Sequence, residues 1–563
     1  MAKKDVAIET LLSKGLLTKE QINTAREDMK KTGLPIEKTL EKLGYITEED
    51  IVKSVAESMN VGYIDLKHYL LNPELAKLLP ERLARKYKVV PLFKIAKSLT
   101  VVMANPSDIV ALDEIRVESG MTSIDPLFST EKDIQDAIDQ LYGTSGNIDD
   151  VIKTIDKSKI AGIGTGFDDM KALAKAAEDV PVVKVINLII MQAVKDKASD
   201  IHIEPTEDMV RVRFRIDGIL HETSTIPKNL QSIVASRIKI LARMDIAESR
   251  KPQDGRIEFK IEKKALDLRV SSFPTIHGEN IVMRILDKSS IVLGLEDLGF
   301  SKEDLKRYDK LIHSAYGIIL VTGPTGSGKT TTLYSSLSTI NSMDKNIITI
   351  EDPVEYELPL IRQTQVNLKA GISFATGLRS ILRQDPNIIM VGEIRDKETA
   401  DIAIQASLTG HLVFSTLHTN DAPSAVTRLI EMGIEPFLVS SSLIAILAQR
   451  LVRKICPACK EKYTPSTDVI KNLSAQKDSK EMLFYKGKGC DDCKNTGYQG
   501  RVAIYELLVM TEEIRKLVVK KSSADEIKKK AIEEGMRALR EDGLDKIRQG
   551  ITTVEEVLRV TEE

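Results

Sequence analysis

Gly323-Pro324-Thr325-Gly326-Ser327-Gly328-Lys329-Thr330 fits the spacing Gly-x4-Gly-Lys-Ser/Thr, and those residue types in that order can hold a polyphosphate. Glycines let backbone N–H groups turn inward onto phosphate oxygens, and a helix that follows presents its positive N-terminus. Lys329 then reaches the β- and γ-phosphates, the Thr330 hydroxyl is offered to Mg²⁺, and Thr331 carries the cradle into the helix. Such a loop needs a strand before it and a helix after it. The apolar run 318–321 reads as that strand and 331–337 as the opening of the helix. ATP with Mg²⁺ is the expected ligand set, and the bland alternative is a glycine-rich turn.

Carboxylates and histidines stand at the ends of three further apolar runs. The run 346–350 ends in Glu351-Asp352-Pro353, and 387–391 ends in Gly392-Glu393. Parallel α/β sheets keep their ligand at the C-terminal ends of strands, so these carboxylates are placed to face the loop. Gly392 stands where an Asp often serves the metal, which leaves Mg²⁺ held through water, by Asp352 or by Glu351. Glu393 is the candidate for orienting an attacking water, and Glu351 joins it in the catalytic set. His411 and His418 bracket the third run, 412–416, as candidate sensors of the γ-phosphate.

A second chemistry is confined to Cys456-Pro-Ala-Cys459 and Cys490-Asp-Asp-Cys493, two Cys-x-x-Cys knuckles with thirty residues between them. Four thiolates at that spacing suit a closed tetrahedral Zn²⁺ site, structural rather than catalytic, with redox exchange as the competing reading. In 210–217, alternation puts Val212, Phe214 and Ile216 on one strand face and Arg211, Arg213 and Arg215 on the other. Guanidiniums so crowded need solvent or anions, and Arg suits phosphate. Arg237, Arg256, Arg269 and Arg284 add to the supply.

These groups must be positioned by a chain of 563 residues, enough for three or four domains. Hydrophobic residues at 42% and charged residues at 29% describe a globular protein. A net charge of −2 gives no global field toward nucleic acid or an anionic membrane. No h-region follows Met1-Ala-Lys-Lys-Asp, so no signal peptide is expected. No apolar run approaches the ~18 residues of a membrane span; the longest, 182–194 and 437–452, are broken by polar residues and read as buried helices. Clustering of all four cysteines within 456–493 points to a reducing compartment, and the cytoplasm is expected.

Taken in order, the chain opens with a repeat: 11–22 returns 29 positions later as 40–51. In each copy a helix should end at Gly15 or Gly44, and Thr18 or Thr47 should cap the next, with Gln21 or Asp50 three residues on. With a mixed region that includes a strand at 99–103, this makes one α/β module over 1–143. A linker follows over 144–180, whose Gly-x-Gly-x-Gly lacks a preceding strand. The period of 182–195 predicts a helix. Residues 511–563 read as short capped helices, with Lys528 to Lys530 on a solvated face.

The blocks 198–205, 323–330, 351–355, 382–396 and 409–420 resemble, in order, those of the secretion ATPases of type II secretion and type IV pili, densely over 180–560 and more loosely before 143. The resemblance implies a PAS-like domain over 181–290 and a RecA-like P-loop core over 291–563, carrying the zinc insertion 456–493. It implies a homohexamer in which arginines of the PAS-like domain, with Arg213 and Arg256 as candidates, reach a nucleotide at a subunit boundary. It further implies action on an inner-membrane platform protein and its cytoplasmic adaptors, peripheral to the inner face of the membrane. Pilus extension is the favoured output and type II secretion the alternative. Outside the family stand a DNA-translocating or uptake motor, which should carry a basic channel, and a nucleotide-gated scaffold in which Glu393 does no chemistry. Relatives that bind cyclic di-GMP through the N-terminal repeat open each copy with Arg-Leu-Gly and close it with Gln. Here 6–8 and 35–37 open, and Met29 and Ser58 close, so cyclic di-GMP is not expected.

Overall fold

The computed structural model describes residues 11–12, 17–32, 36–59, 61–66, 69, 71, 73–142, 152, 176–177, 180–261, 264–287, 293–465 and 483–561. They fall into two compact units, Met1–Ser289 and Ser290–Glu563. The expected linker lies almost wholly outside the described residues, as do Gly15 and the opening positions 6–8.

The first unit begins with helices Lys19–Thr32, Ile36–Lys42 and Glu48–Ser58 around Leu17, Ile22, Ala25, Leu40 and Ile46. Both repeat copies carry the capping chemistry their spacing predicts. Thr18 N donates to Gln21 Oε1 at 2.8 Å while Gln21 N donates to Thr18 Oγ1 at 3.2 Å, and Thr47 and Asp50 repeat the exchange. Gly44 takes φ +71, the left-handed turn that ends its helix. Next come β1 (Val89–Ile95), β2 (Ser98–Met103) and β3 (Ser123–Phe128), with β1 antiparallel and β3 parallel to β2. Helices Glu81–Tyr87 and Glu131–Tyr142 close a separate core over them.

Helix Val180–Lys195, with the period read from sequence, then packs with helix Gln231–Leu241 against a six-stranded antiparallel sheet. Its strands are β4 (Asp200–Pro205), β5 (Met209–Ile216), β6 (Ile219–Pro227), β7 (Gln253–Ile261), β8 (Lys264–Thr275) and β9 (Gly278–Asp287), in the order β6-β5-β4-β9-β8-β7. Val212 and Phe214 are buried beneath the helices, and the arginines of β5 take the opposite face, as the period of two demands.

The second unit is built on β10 (Gly317–Thr322), β11 (Ile347–Glu351), β12 (Arg362–Gln365), β13 (Ile388–Val391), β14 (Leu412–Leu417), β15 (Leu443–Ile455) and β18 (Tyr498–Val509). The order is β12-β11-β13-β14-β10-β15-β18, parallel throughout except for β18. Apolar clusters cover both faces, which is why these strands read as unbroken apolar runs. The run 437–452 is not one buried helix as its apolar content suggests. Only Pro436–Ser442 is helical, and Leu443 onward is β15, inserted between β10 and β18. A strand buried on both faces and a buried helix give the same apolar signature.

A hairpin of β16 (Lys460–Tyr463) and β17 (Phe484–Gly487) leaves the end of β15. Helices Glu512–Val519, Ala524–Glu533, Leu539–Arg548 and Val554–Thr561 complete the unit, capped by Thr511, Ser523 and Thr553 except for Leu539–Arg548, which Ala538 precedes. Lys528 is not on a wholly solvated face: its Nζ pairs with Asp421, the cap of helix Ala422–Glu431, at 3.2 Å.

Candidate active site

The phosphate loop leaves β10 after Thr322 and enters helix Lys329–Ile340, the strand and helix its pattern requires. Gly323, Gly326 and Gly328 take φ +147, +80 and +89, backbone that side-chain-bearing residues rarely adopt. Pro324, Thr325, Gly326, Thr330 and part of Thr331 face solvent. Lys329 folds back over the loop, donating to Gly323 O at 2.8 Å and Pro324 O at 3.0 Å. Ser327 Oγ is buried without a partner. A cation held only by loop carbonyls and an unpaired buried hydroxyl fit a loop made for phosphate oxygens. Burial lowers the Lys329 ammonium to about 8, with Glu393 pulling it back up and Arg450 pressing it down.

Neighbouring strands deliver the rest at the same edge. Glu393, just past β13, accepts from Arg395 Nη2 at 2.6 Å and from His418 Nε2, just past β14, at 3.2 Å. Burial pushes the Glu393 carboxyl up, but Arg395 and His418 together outweigh it and leave it below its ordinary value. Thr416 Oγ1 donates to Gly392 O at 2.7 Å and fixes the turn that carries Glu393. Asp352 is exposed beyond β11, close enough to Arg395 to act on its charge.

Two expected members are not brought here. In parallel strands Gly317 lies opposite Leu412, so His411 sits at the far end of β14 from the loop, about 20 Å away at 3.3 Å per residue. Its Nδ1 donates to Ala406 O at 2.8 Å instead. Bracketing a strand in sequence places two residues at opposite edges of the sheet, so only His418 can serve this loop. Glu351 is 3% exposed. Tyr334 donates to its carboxylate, Thr349 does so at 2.5 Å and Gln363 at 3.1 Å, so the group is held in the core while Asp352 faces out.

Two residues at this edge escape a reading by motif, because β15 does not look like a strand in sequence. Gln449, 2% exposed, donates from Nε2 to Ser327 O and accepts at Oε1 from Thr332 Oγ1, both at 2.7 Å. Arg450 donates to Asn420 O at 2.8 Å, beside Gly323. Their only signal is that they are polar breaks in an apolar run.

On the first unit's sheet, the arginine face carries its own anions. Arg213 pairs with Glu204 at 2.5 Å, Arg211 with Glu222 at 2.9 Å, and Arg215 and Arg284 share Asp200 at 3.4 and 2.9 Å. Carboxylates as well as solvent therefore meet their charge. Arg256 is exposed, directly across from Arg269, which lies across from Arg284.

The cysteine knuckles converge. Cys456 and Cys490 sulfurs lie 3.8 Å apart, Cys459 and Cys493 3.8 Å, and Cys490 and Cys493 3.7 Å, with all four within 4.8 Å of one another. A tetrahedron with Zn–S bonds of about 2.3 Å has edges of about 3.8 Å, so the set fits zinc. Backbone N–H groups of Cys490 and Gly497 donate to Cys493 Sγ, both at 3.2 Å, as they would to a thiolate.

A family described as type II/IV secretion system protein matches residues 175–559, and an MshEN domain matches 59–148. The type IV pilus assembly ATPase PilB of Myxococcus xanthus is 46% identical over 98% of each chain. Type II secretion system protein E of Xanthomonas campestris is 42% identical over 99% of this chain and 98% of its own. The ATPase DotB of Legionella pneumophila, at 22% identity and TM-score 0.50 over 67% of this chain and 94% of that one, shares the fold. With an α/β RecA-like core and a match that spans both the arginine sheet and the phosphate loop, the chain belongs to the type II/IV secretion system protein family and is an ATP-hydrolysing motor enzyme.

Proposed function

We propose that this chain drives type IV pilus extension as a homohexamer, turning ATP hydrolysis into movement of an inner-membrane platform protein and its adaptors from the cytoplasmic side. The observation that carries the reading is the meeting of Lys329, Glu393 and His418 at one sheet edge. Similarity to a pilus assembly ATPase along nearly the whole chain supports the output.

In this reading Gly323 to Thr331 cradle the phosphates and Lys329 exchanges its carbonyl partners for phosphate oxygens. Thr330 and Asp352 would hold Mg²⁺, which when bound supplies positive charge beside the phosphates. Glu393, kept ionised by Arg395 and His418, accepts a hydrogen bond from the attacking water and orients it. Arg213 and Arg256 serve the nucleotide of a neighbouring protomer, within a division into 1–143, 144–180, 181–290 and 291–563. The cysteines hold a structural Zn²⁺. Neither nucleic acid nor cyclic di-GMP is an expected ligand. Type II secretion is the second reading, favoured by the equally complete match to a type II secretion protein.

Glu393→Gln should retain nucleotide binding and lose about 10² to 10⁴ in turnover, the range for a positioned base. Near-normal hydrolysis would remove Glu393 from that role and favour the scaffold reading. In cells the same variant should abolish surface pili while secretion continues; the opposite pattern would assign the motor to secretion.

A further inference from the structure

β15 runs parallel to β10, with Thr322 opposite Ala448, so Gln449 and Arg450 lie just beyond the point where β10 becomes the loop. The backbone of Gln449 abuts the start of the loop and its side chain the end. A Cβ on Gly323 would stand 2.5 Å from Gln449 O, and one on Gly328 would stand 2.7 Å from Gln449 Nε2. These glycines therefore make room for β15 as well as for phosphate. The side-chain amide is held at both ends, by Ser327 O and by Thr332 Oγ1, which fixes which end of it donates.

The consequence lies in the peptide that joins Ser327 to Gly328. A trans peptide is planar, with its C=O and N–H pointing in opposite directions. Pinning Ser327 O against Gln449 turns the Gly328 N–H away from β15, toward the open side of the loop. We infer that Gln449 is a positioning residue for ATP: it never touches the nucleotide, but presets the Ser327–Gly328 peptide so that this N–H is aimed at phosphate before binding. Preset donors spare the binding step the work of reorganising the loop.

This rests on the reading that Gly323 to Thr331 hold the phosphates. In Gln449→Glu, size is kept but the donor facing Ser327 O becomes an oxygen, and two acceptors would meet in a buried place. Expected are rises on the order of tenfold or more in KM for ATP and in Kd for ADP, with a smaller change in kcat at saturation. Thr332→Val frees only the other end of the amide and should leave the Kd for ADP within about twofold. Wild-type ADP affinity in Gln449→Glu would overturn the inference. So would equal weakening by both variants, since that would mean packing rather than peptide orientation. If Gln449→Glu does not fold, Gln449→Met, with no buried charge, is read by the same criteria. Lys329→Ala separates the two readings. Retained ADP binding there removes the phosphate loop assignment itself, whereas loss there beside intact binding in the Gln449 variants removes only the role given to Gln449.

Discussion

Glu393 is held between Arg395 and His418, and that fixes the direction of its pH response. Burial alone would raise the carboxyl; Arg395 and His418 reverse the sign. A base must be ionised, so activity should fall as pH drops through this lowered value. Removing Arg395 takes away the guanidinium, the closer of the two partners at 2.6 Å, and leaves burial opposed by the His418 hydrogen bond alone. In Arg395→Ala, the acid limb of kcat/KM against pH should therefore move to higher pH, since kcat/KM reports the free enzyme. An acid limb that stays in place would show that Arg395 does not control Glu393. The types and spacing of Gly323 to Thr330, Glu393 and His418 were enough to bring them together from sequence. His411 and Glu351 were not resolvable in that way. Which edge of a sheet a residue reaches, and which face a strand's last side chain takes, depends on strand direction and register, and motif spacing carries neither.

At the scale of elements, legibility follows burial. Strands β10, β11, β13 and β14 are short apolar runs bounded by polar or turn residues, and each was readable. β15 was not, because thirteen residues of largely buried chain carry no period that separates strand from helix. Gln449 and Arg450 were lost with it. The hairpin of β16 and β17 has little apolar content, with only Phe484 buried among its eight residues. Such a piece needs a staple, and a Cys₄ zinc site can add on the order of 10 kcal/mol to local folding. Metal analysis of the purified protein should find about one zinc per chain. Cys459→Ser should lose it and expose the hairpin to limited proteolysis, while the seven-stranded sheet keeps its fold. A metal-free protein with a protease-resistant hairpin would reject the assignment.

For the whole molecule, the proposed ring makes a claim that subunit mixing can test. If Arg256 serves a neighbour's nucleotide while Glu393 serves its own, Arg256→Ala and Glu393→Gln remove different halves of one site. Each variant alone should hydrolyse ATP poorly. Rings assembled from both should regain a fraction of the activity, because some boundaries then combine an intact Arg256 with an intact Glu393. No recovery on mixing, in rings shown by mass measurement to be mixed, would place both residues in one chain's site or remove Arg256 from it.

One strand joins several of these observations. Gln449, Arg453 and Cys456 follow one another along and just past β15: the first grips the phosphate loop, the second pairs with Glu556 of the last helix at 2.7 Å, and the third opens the metal site. An extended chain at about 3.3 Å per residue is nearly taut, with little slack beyond the register irregularity between Arg453 and Ile455. Loop, terminal helix and knuckle are thus three knots on one cord. Tension at any of them reaches the others through covalent bonds, over about 23 Å from the first to the last.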